Sequence, residues 1–285
     1  LLHNVKSHIF RKTRAQNFIL CSFLFPVHTV RKNGKNYIQT FSCNLSEIWY
    51  HIKCYIVFNS TLLQGGVYMP RAFLKARDPF SCYSHFVGAV LSASGLLILL
   101  LRLLFDPDIS GQLAGAAVVF CLSLIALYSA SSVYHFSLRG EAVLRRLKKL
   151  DHSMIYVLIA GSYTPIILKF MPAPRSFLFL GVIWLIALTG IAVKLLWIDA
   201  PRLIGTALYL ALGWAIAFDF GVVLSMPSPA IALLAAGGLA YTAGGIIYIS
   251  KRPNFSTLLG FHELFHLFVI VGSICHYLMV MLYVL

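Results

Sequence analysis

Charged residues are scarce in this sequence, and acidic residues are the scarcest of them. Only 11% of the 285 residues are charged, nine of these are Asp or Glu, and 59% of the chain is hydrophobic. A soluble domain carries about a quarter charged residues. This shortage excludes a water-soluble globular protein. The apolar residues also come in long unbroken runs, which argues against a transmembrane β-barrel built from short alternating strands.

Closely spaced cysteines are also missing. The six cysteines lie far apart, and none forms a Cys-x-x-Cys pair that would suggest a zinc knuckle or a redox motif. The chain carries 23 basic residues and a formal net charge of +14. Its basic runs lack the interleaved aromatic residues of a nucleic-acid-binding module. We therefore expect no nucleic-acid partner, and we expect the basic residues to lie in the loops of a membrane protein.

Seven apolar runs follow one another from residue 84 onward. Each is long enough to cross about 30 Å of hydrocarbon as a helix. The sequence therefore predicts an all-α integral membrane protein, a bundle of seven transmembrane helices. The predicted spans are 84–105, 111–135, 151–171, 176–197, 202–224, 229–250 and 261–285.

The basic residues predict how the bundle is oriented. From residue 69 onward, twelve Lys and Arg residues fall on the side that holds the N-terminus, and three fall on the other side. By the positive-inside rule, the N-terminus is predicted to be cytoplasmic and the C-terminus outside, in a multi-pass protein of the plasma membrane. Residues 142–150 alternate apolar and basic residues at helical spacing, which predicts a short amphipathic helix lying on the cytoplasmic leaflet.

The first 68 residues differ from the rest. They hold eight basic residues, one acid and no apolar run long enough to span. Gln64-Gly65-Gly66 can be encoded by a stretch that resembles a bacterial ribosome-binding site, shortly before Met69. We interpret residues 1–68 as a translated upstream region or a disordered extension and residues 69–285 as the membrane domain. A transit peptide is the competing interpretation.

Ionisable residues inside spans are costly and are functional candidates by default. His135 closes the predicted second span, Asp151 opens the third, and His262, Glu263 and His266 lie in the first turns of the seventh. Because successive spans alternate in direction, all of these residues are predicted to lie at the same end of the bundle. Three helices therefore bring polar groups to one depth of the membrane.

The spacing of these residues favours a metal site. His262 and His266 are four residues apart, so they project from one helix face about 6 Å apart along the axis. Together with His135 they supply three nitrogen ligands and leave a fourth position open, as in catalytic zinc sites. Ser131 lies one turn before His135 on the same face. Asp151 is positioned to hold or deprotonate a water molecule on the metal.

Three other polar residues are excluded from this site. His276 lies about 15 Å farther along its helix than His266 and is predicted to be a core histidine. Asp219 lies near the opposite end of its span, and His152 points about 100° away from Asp151. The letters His-Glu-x-x-His at 262–266 also match the zinc protease signature, so an intramembrane protease is a further alternative.

The motifs that carry these residues resemble the hemolysin III family. That family groups with the progestin and adipoQ (adiponectin) receptors and is similar to the alkaline ceramidases in a superfamily of membrane hydrolases. The resemblance covers about residues 72–285 and not residues 1–68. It is carried by Ser-Ser-Val-Tyr-His at 131–135, Leu-Asp-His-Ser at 150–153, Ile-Ala-Gly-Ser-Tyr-Thr-Pro at 159–165, Phe-His-Glu-Leu-Phe-His at 261–266 and Gly-Ser-Ile-Cys-His at 272–276.

The resemblance implies seven helices and a Zn²⁺ site at the cytoplasmic face. It implies His135, His262 and His266 as metal ligands, Asp151 as the residue that binds the water, and Ser131 as its support. Glu263 receives no required catalytic role. The expected activity is hydrolysis of an amide or ester in a membrane lipid. The alternatives are a pore-forming cytolysin, as the family name implies, and a receptor or sensor whose metal site is structural.

Overall fold

The computed structural model describes residues 28–32, 35–39, 75–256 and 259–285. The chain divides into two compact units, Leu1–Gly65 and Gly66–Leu285. In the first unit, His28–Lys32 and Lys35–Gln39 pair as an antiparallel hairpin. The interpretation of residues 1–68 as an upstream extension falls mostly outside the described residues and stays a prediction.

The second unit is a bundle of helices. Within residues 75–256 and 259–285, seven helical segments are long and apolar enough to cross a membrane, which confirms the predicted seven-span all-α fold. In chain order, the spans are Pro79–Phe105, Gly111–Phe136, Glu141–Phe170, Arg175–Leu196, Arg202–Leu224, Ser228–Ser250 and Phe261–Val284.

Sequence-adjacent spans pack against each other, and the first span also packs against the seventh, so that the bundle closes. The buried core joins residues of most spans, including Phe120, Tyr128, Ile167 and Met279. Large apolar side chains such as Leu104 point outward and stay exposed. An outward apolar surface is stable only in lipid, which agrees with a multi-pass membrane protein.

Close packing of the sixth and seventh spans depends on a glycine. A Cβ atom at Gly237 would lie 2.4 Å from Cδ2 of His276, well inside van der Waals contact. Small residues are the usual means by which helices approach each other in lipid, where no hydrophobic force drives them together. Gly237 thus leaves room for the His276 ring between the two helices.

The third span is longer than predicted. Residues 142–150 do not form a separate surface helix, because one continuous helix runs through Glu141–Phe170. Residues 141–160 contain no Gly or Pro, so no helix-ending residue lies near Leu150 and Asp151. The basic segment contacts the end of the fourth span and the connection that follows it: Lys149 donates to the Leu195 carbonyl, and the Arg145 Nη2 atom lies 2.8 Å from Asp199 Oδ2.

The fifth span is broken inside the membrane. Its α-helix covers Arg202–Gly213, a 3₁₀ turn follows at Ala215–Asp219, and Phe220–Leu224 is helical again. The Tyr163 hydroxyl satisfies two backbone groups at the break: it donates to the Gly213 carbonyl at 2.7 Å and accepts from the Ile216 amide at 3.1 Å. Irregular backbone at membrane depth requires such partners.

Candidate metal centre

Three histidines from two spans meet at the end of the bundle where the second span ends and the seventh begins. Possible ligand atoms of His135, His262 and His266 all lie within 4.8 Å of one another. His135 and His266 are 3% and 2% exposed. The His262–His266 and His135–His266 ring centroids are 4.6 and 5.0 Å apart. The three residues singled out by spacing are thus brought together and could hold a metal ion.

The separation of two of these nitrogens is the one that tetrahedral coordination needs. His262 Nε2 lies 3.3 Å from His135 Nε2. For metal–nitrogen bonds of about 2.0–2.1 Å at a tetrahedral angle, two ligand nitrogens lie about 3.3 Å apart. In addition, Nδ1 of His266 is buried without a hydrogen-bond partner among the described residues. A buried nitrogen without a partner is costly, and a bound cation removes the need for one.

Asp78 orients His135 and was not predicted from the sequence. Its Oδ2 atom lies 2.9 Å from Nδ1 of His135, and its backbone amide donates to the His135 carbonyl at 3.0 Å. The hydrogen bond with His135, supported by Arg77, lowers the pKa of the Asp78 carboxyl to about 2. An ionised Asp78 keeps a proton on Nδ1 and turns the lone pair of Nε2 towards His262. Such carboxylate–histidine pairs commonly support metal ligands.

His85 of the first span is a second residue that sequence reasoning missed. Its ring stacks on His266 with centroids 3.7 Å apart and planes inclined by 14°. Both of its ring nitrogens are buried, and neither has a hydrogen-bond partner among the described residues. His85 thereby fixes the plane of the His266 ring. Its signal in the sequence was an ionisable residue inside an apolar run at the same end of the bundle.

Asp151 and Ser131 lie beside the three histidines. Both are buried, at 9% and 1% exposed, and both line the same cavity as His135. His135 and Ser131 are among the groups that interact with the Asp151 carboxylate. The pair therefore offers a carboxylate and a neighbouring hydroxyl to any molecule at the candidate metal centre.

Both carboxylate oxygens of Glu263 are already in use. Oε2 accepts from the Gly260 amide at 2.9 Å, and Oε1 accepts from the Ser81 hydroxyl at 3.1 Å. Glu263 therefore caps the start of the seventh span and joins it to the first span. These contacts disfavour the general-base role that the zinc protease signature would give to it.

The residues excluded by spacing mostly lie away from the centre. His276 is outside the three-histidine group and packs against Tyr241, with ring centroids 5.4 Å apart. Asp219 pairs with Arg175. His152 differs from its prediction: it lines the cavity together with Asp151, and its carbonyl accepts from the Tyr209 hydroxyl at 3.0 Å.

A cavity of about 780 Å³ opens from the metal centre into the bundle. One part is lined by the histidines, Asp151 and Ser131, and another reaches Trp214 and His276. Its walls between them include apolar side chains such as Ile155 and Val269. Volumes of about 300–1,000 Å³ are typical of small-molecule sites. The cavity can take an extended apolar molecule with one end at the histidines.

Comparison with known proteins assigns the chain to a family. The model of the family described as haemolysin-III related matches residues 73–277. The chain belongs to the haemolysin III-related family. Every residue of the candidate metal centre, from Asp78 to His266, lies inside the matched range.

Relatives of this haemolysin III-related chain come from bacteria and eukaryotes. Hemolysin-3 of Bacillus cereus is 32% identical over 203 residues, which is 71% of this chain and 89% of the relative. The monocyte to macrophage differentiation factor of Homo sapiens is 28% identical over 222 residues, or 75% and 85% of the two chains. Heptahelical transmembrane protein 5 of Arabidopsis thaliana is 28% identical over 230 residues, covering 73% of this chain and 58% of the plant protein.

Proposed function

We propose that this haemolysin III-related protein is a zinc-dependent hydrolase of the plasma membrane, which cleaves an amide or ester bond in a lipid. The observation that carries the proposal is the convergence of His135, His262 and His266 within 4.8 Å at one end of a large cavity. Three imidazoles with an open fourth position are typical of catalytic zinc sites rather than structural ones.

The donor set supports zinc as the ion. Imidazole nitrogen suits zinc and several other divalent transition metals, whereas magnesium and calcium prefer oxygen ligands. Once bound, zinc polarises a carbonyl oxygen and lowers the pKa of water to about 7. Hydrolysis of an amide or ester needs both of these effects.

The chain's own residues then have distinct roles. Asp78 holds the His135 ring with Nε2 directed towards the centre. Asp151 accepts the proton of the attacking water and returns it to the leaving amine or alcohol, which is general base and then general acid catalysis. Ser131, beside Asp151, stabilises the carboxylate through its hydroxyl. The apolar walls of the cavity bind the hydrocarbon part of the lipid and limit the access of bulk water.

The metal centre is proposed to face the cytoplasm. Twelve basic residues at its end of the bundle against three at the other place the N-terminus inside and the C-terminus outside by the positive-inside rule. A reporter fused after Leu285 should be labelled from outside in intact cells, and one inserted near Arg139 should be protected. Reversed labelling of both sites would overturn this orientation.

Metal analysis of detergent-purified protein tests the function directly. We expect about one zinc per chain and none after His262→Ala, with Lys169→Ala as a control far from the site. Lipid profiles of cells that express the protein or its Asp151→Asn variant should then differ in one lipid class and its hydrolysis product. Absence of stoichiometric metal in the purified protein would eliminate the hydrolase.

A sensor with a structural metal site is the second candidate. The cavity favours it, because a ligand bound between several spans can shift helix packing without being cleaved. The two functions are separated by turnover: a sensor retains its bound lipid unchanged, whereas a hydrolase releases products. The name of the Bacillus cereus relative suggests a cytolytic function, which would instead appear as lysis of red cells by the purified protein.

A further inference from the structure

Lys194, near the end of the fourth span, is buried although its side chain is long enough to reach water. It is only 5% exposed and lines the same cavity as the three histidines. Lysines at helix ends normally extend their ammonium groups to the interface, because burial of a charge is costly. The burial of Lys194 therefore needs an explanation beyond membrane anchoring.

No carboxylate compensates this ammonium group. Asp199, an acid that also lines the cavity, pairs with Arg145 at 2.8 Å and with Lys148 at 3.8 Å. Within residues 75–256 and 259–285, Lys194 has no ion pair and no hydrogen bond. Its nearest identified partner is the Tyr209 ring, whose centroid is 5.8 Å from Nζ. That distance is near the limit of a cation–π contact.

The neighbouring wall is shaped around the ammonium group. A Cβ atom at Gly205 would lie 2.7 Å from Lys194 Nζ, so a larger residue there would push the flexible end of this side chain aside. Lys148, which pairs with Asp199 at 3.8 Å, and Arg202 line the same cavity. Arg202 stands over the rings of Tyr248 and Phe261 at 5.2 and 5.5 Å, with no ion pair within the described residues. The ammonium group of Lys194, which has no ion pair within the described residues, thus lies beside Gly205 and shares one cavity with the guanidinium group of Arg202.

We propose that Lys194 binds an anionic group, a phosphate or a carboxylate, on the molecule that occupies the cavity. The inference rests on the proposed function, and it narrows the substrate of that function from any lipid amide or ester to an anionic lipid. The headgroup pairs with Lys194, the hydrocarbon lies along the apolar walls, and the scissile carbonyl lies at the three histidines. His152 lines the same cavity as Lys194 and the three histidines.

Binding of two matched lipids tests the proposal. The probes are a fluorescent phosphatidic acid and the diacylglycerol with the same acyl chains, which differ only in the phosphate. Their affinities are measured by fluorescence anisotropy with the purified full chain in uncharged detergent. Lys194→Gln should weaken phosphatidic acid binding at least tenfold and change diacylglycerol binding less than twofold. Lys194→Arg should retain most of the affinity, because it keeps the charge.

Two further variants protect the test from a folding artefact. Gly205→Ala keeps the charge and shifts only the flexible end of Lys194, and we expect a smaller but still selective loss of phosphatidic acid binding. Lys169→Gln removes an exposed lysine from the opposite end of the bundle and should leave both affinities unchanged. Inorganic phosphate and glycerol 3-phosphate are added as competitors. Competition at millimolar concentration would identify a free anion as the ligand, and its absence would identify a lipid headgroup.

Selectivity is the decisive result. If Lys194→Gln leaves phosphatidic acid binding within twofold, or weakens the binding of both lipids equally, the anion site is wrong. Metal content separates this outcome from failure of the proposed function: Lys194→Gln should keep its zinc, and His262→Ala should lose zinc yet still discriminate the two lipids. If the purified wild-type protein contains no zinc and Lys194→Gln still weakens phosphatidic acid binding selectively, the result supports the anion site and refutes the hydrolase.

Discussion

The two ends of the bundle each hold an aspartate paired with an arginine, yet of these two aspartates only Asp78 also contacts a histidine within the described residues. At one end, Asp78 pairs with Arg77 at 2.9 Å and also binds the ring of His135. At the other end, Asp219 pairs with Arg175, whose side chain is 61% exposed. The acid at the first end belongs to a set of groups from several spans, and the acid at the second end has a single surface partner.

The difference lies in convergence rather than in residue type. Asp78, His135 and His266 come from three segments that are far apart in sequence, and each position is fixed by a neighbour: Asp78 fixes His135, and His85 fixes His266. Within the described residues, Arg175 and Asp219 form an ion pair with each other and with no other charged group. A surface ion pair contributes about 0–1 kcal/mol to the free energy of unfolding, so removal of the Arg175–Asp219 pair should change stability little.

The largest contrast between the two ends is expected from the ligands themselves. His135→Ala, His262→Ala and His266→Ala should each lose most bound metal, because two imidazoles alone hold a divalent ion weakly. His276→Ala should retain the metal, since His276 lies outside the group. Metal content after purification is the measurement. Equal loss from His276→Ala would show that the ligand set is wrong.

Asp151→Asn should separate chemistry from metal binding. The amide keeps the shape of the side chain but cannot accept a proton, so hydrolysis should be abolished while metal content stays at the wild-type level. Turnover of the lipid identified by profiling is the measurement. Full activity in Asp151→Asn would remove this residue from the mechanism.

Asp78→Ala and Asp219→Ala form a matched pair, one at each end. Loss of a carboxylate that supports a metal-bound histidine typically weakens metal binding by about 10–100-fold. We expect an effect of this size for Asp78→Ala and less than a twofold change for Asp219→Ala. Competition with a zinc chelator measures both affinities. Equal affinities in the two variants would mean that Asp78 does not support the centre.

Glu263→Gln is expected to have the smallest effect at the end of the bundle that holds the three histidines. Both oxygens of Glu263 hold the start of the seventh span, so the variant should lower the melting temperature slightly and retain metal and activity. Thermal unfolding and activity are measured together. Loss of activity with an unchanged melting temperature would instead make Glu263 a catalytic base.

Much of this architecture could be predicted from the sequence because membrane spans have strong local signals. Runs of apolar residues located all seven spans, and the i, i+4 spacing of His262 and His266 placed both on one helix face. Asp78 escaped prediction because the first span begins at Pro79, five residues before its predicted start at Ser84. An acid just before a proline-led helix lies at the depth of the metal centre, but its contact with His135 depends on tertiary packing.

Lys194 and the third span show a second limit of sequence reasoning. The sequence marked Lys194 only as one of the basic residues near a loop, since burial at a helix end depends on the neighbouring Gly205. The sequence does not predict the continuous helix at Glu141–Phe170, because the change from basic to apolar residues near residue 150 is not a helix end. Composition changes where a helix leaves the lipid, whereas a helix ends only where backbone hydrogen bonding stops.

The break in the fifth span has a consequence for how this span folds in the membrane. A single hydroxyl, that of Tyr163 on the third span, serves the Gly213 carbonyl and the Ile216 amide together. Until the third span is alongside, these backbone groups have no such partner in hydrocarbon, where an unsatisfied group costs several kcal/mol. The broken shape of the fifth span therefore depends on its packing against the third span, and we expect the fifth span on its own to favour a continuous helix in lipid.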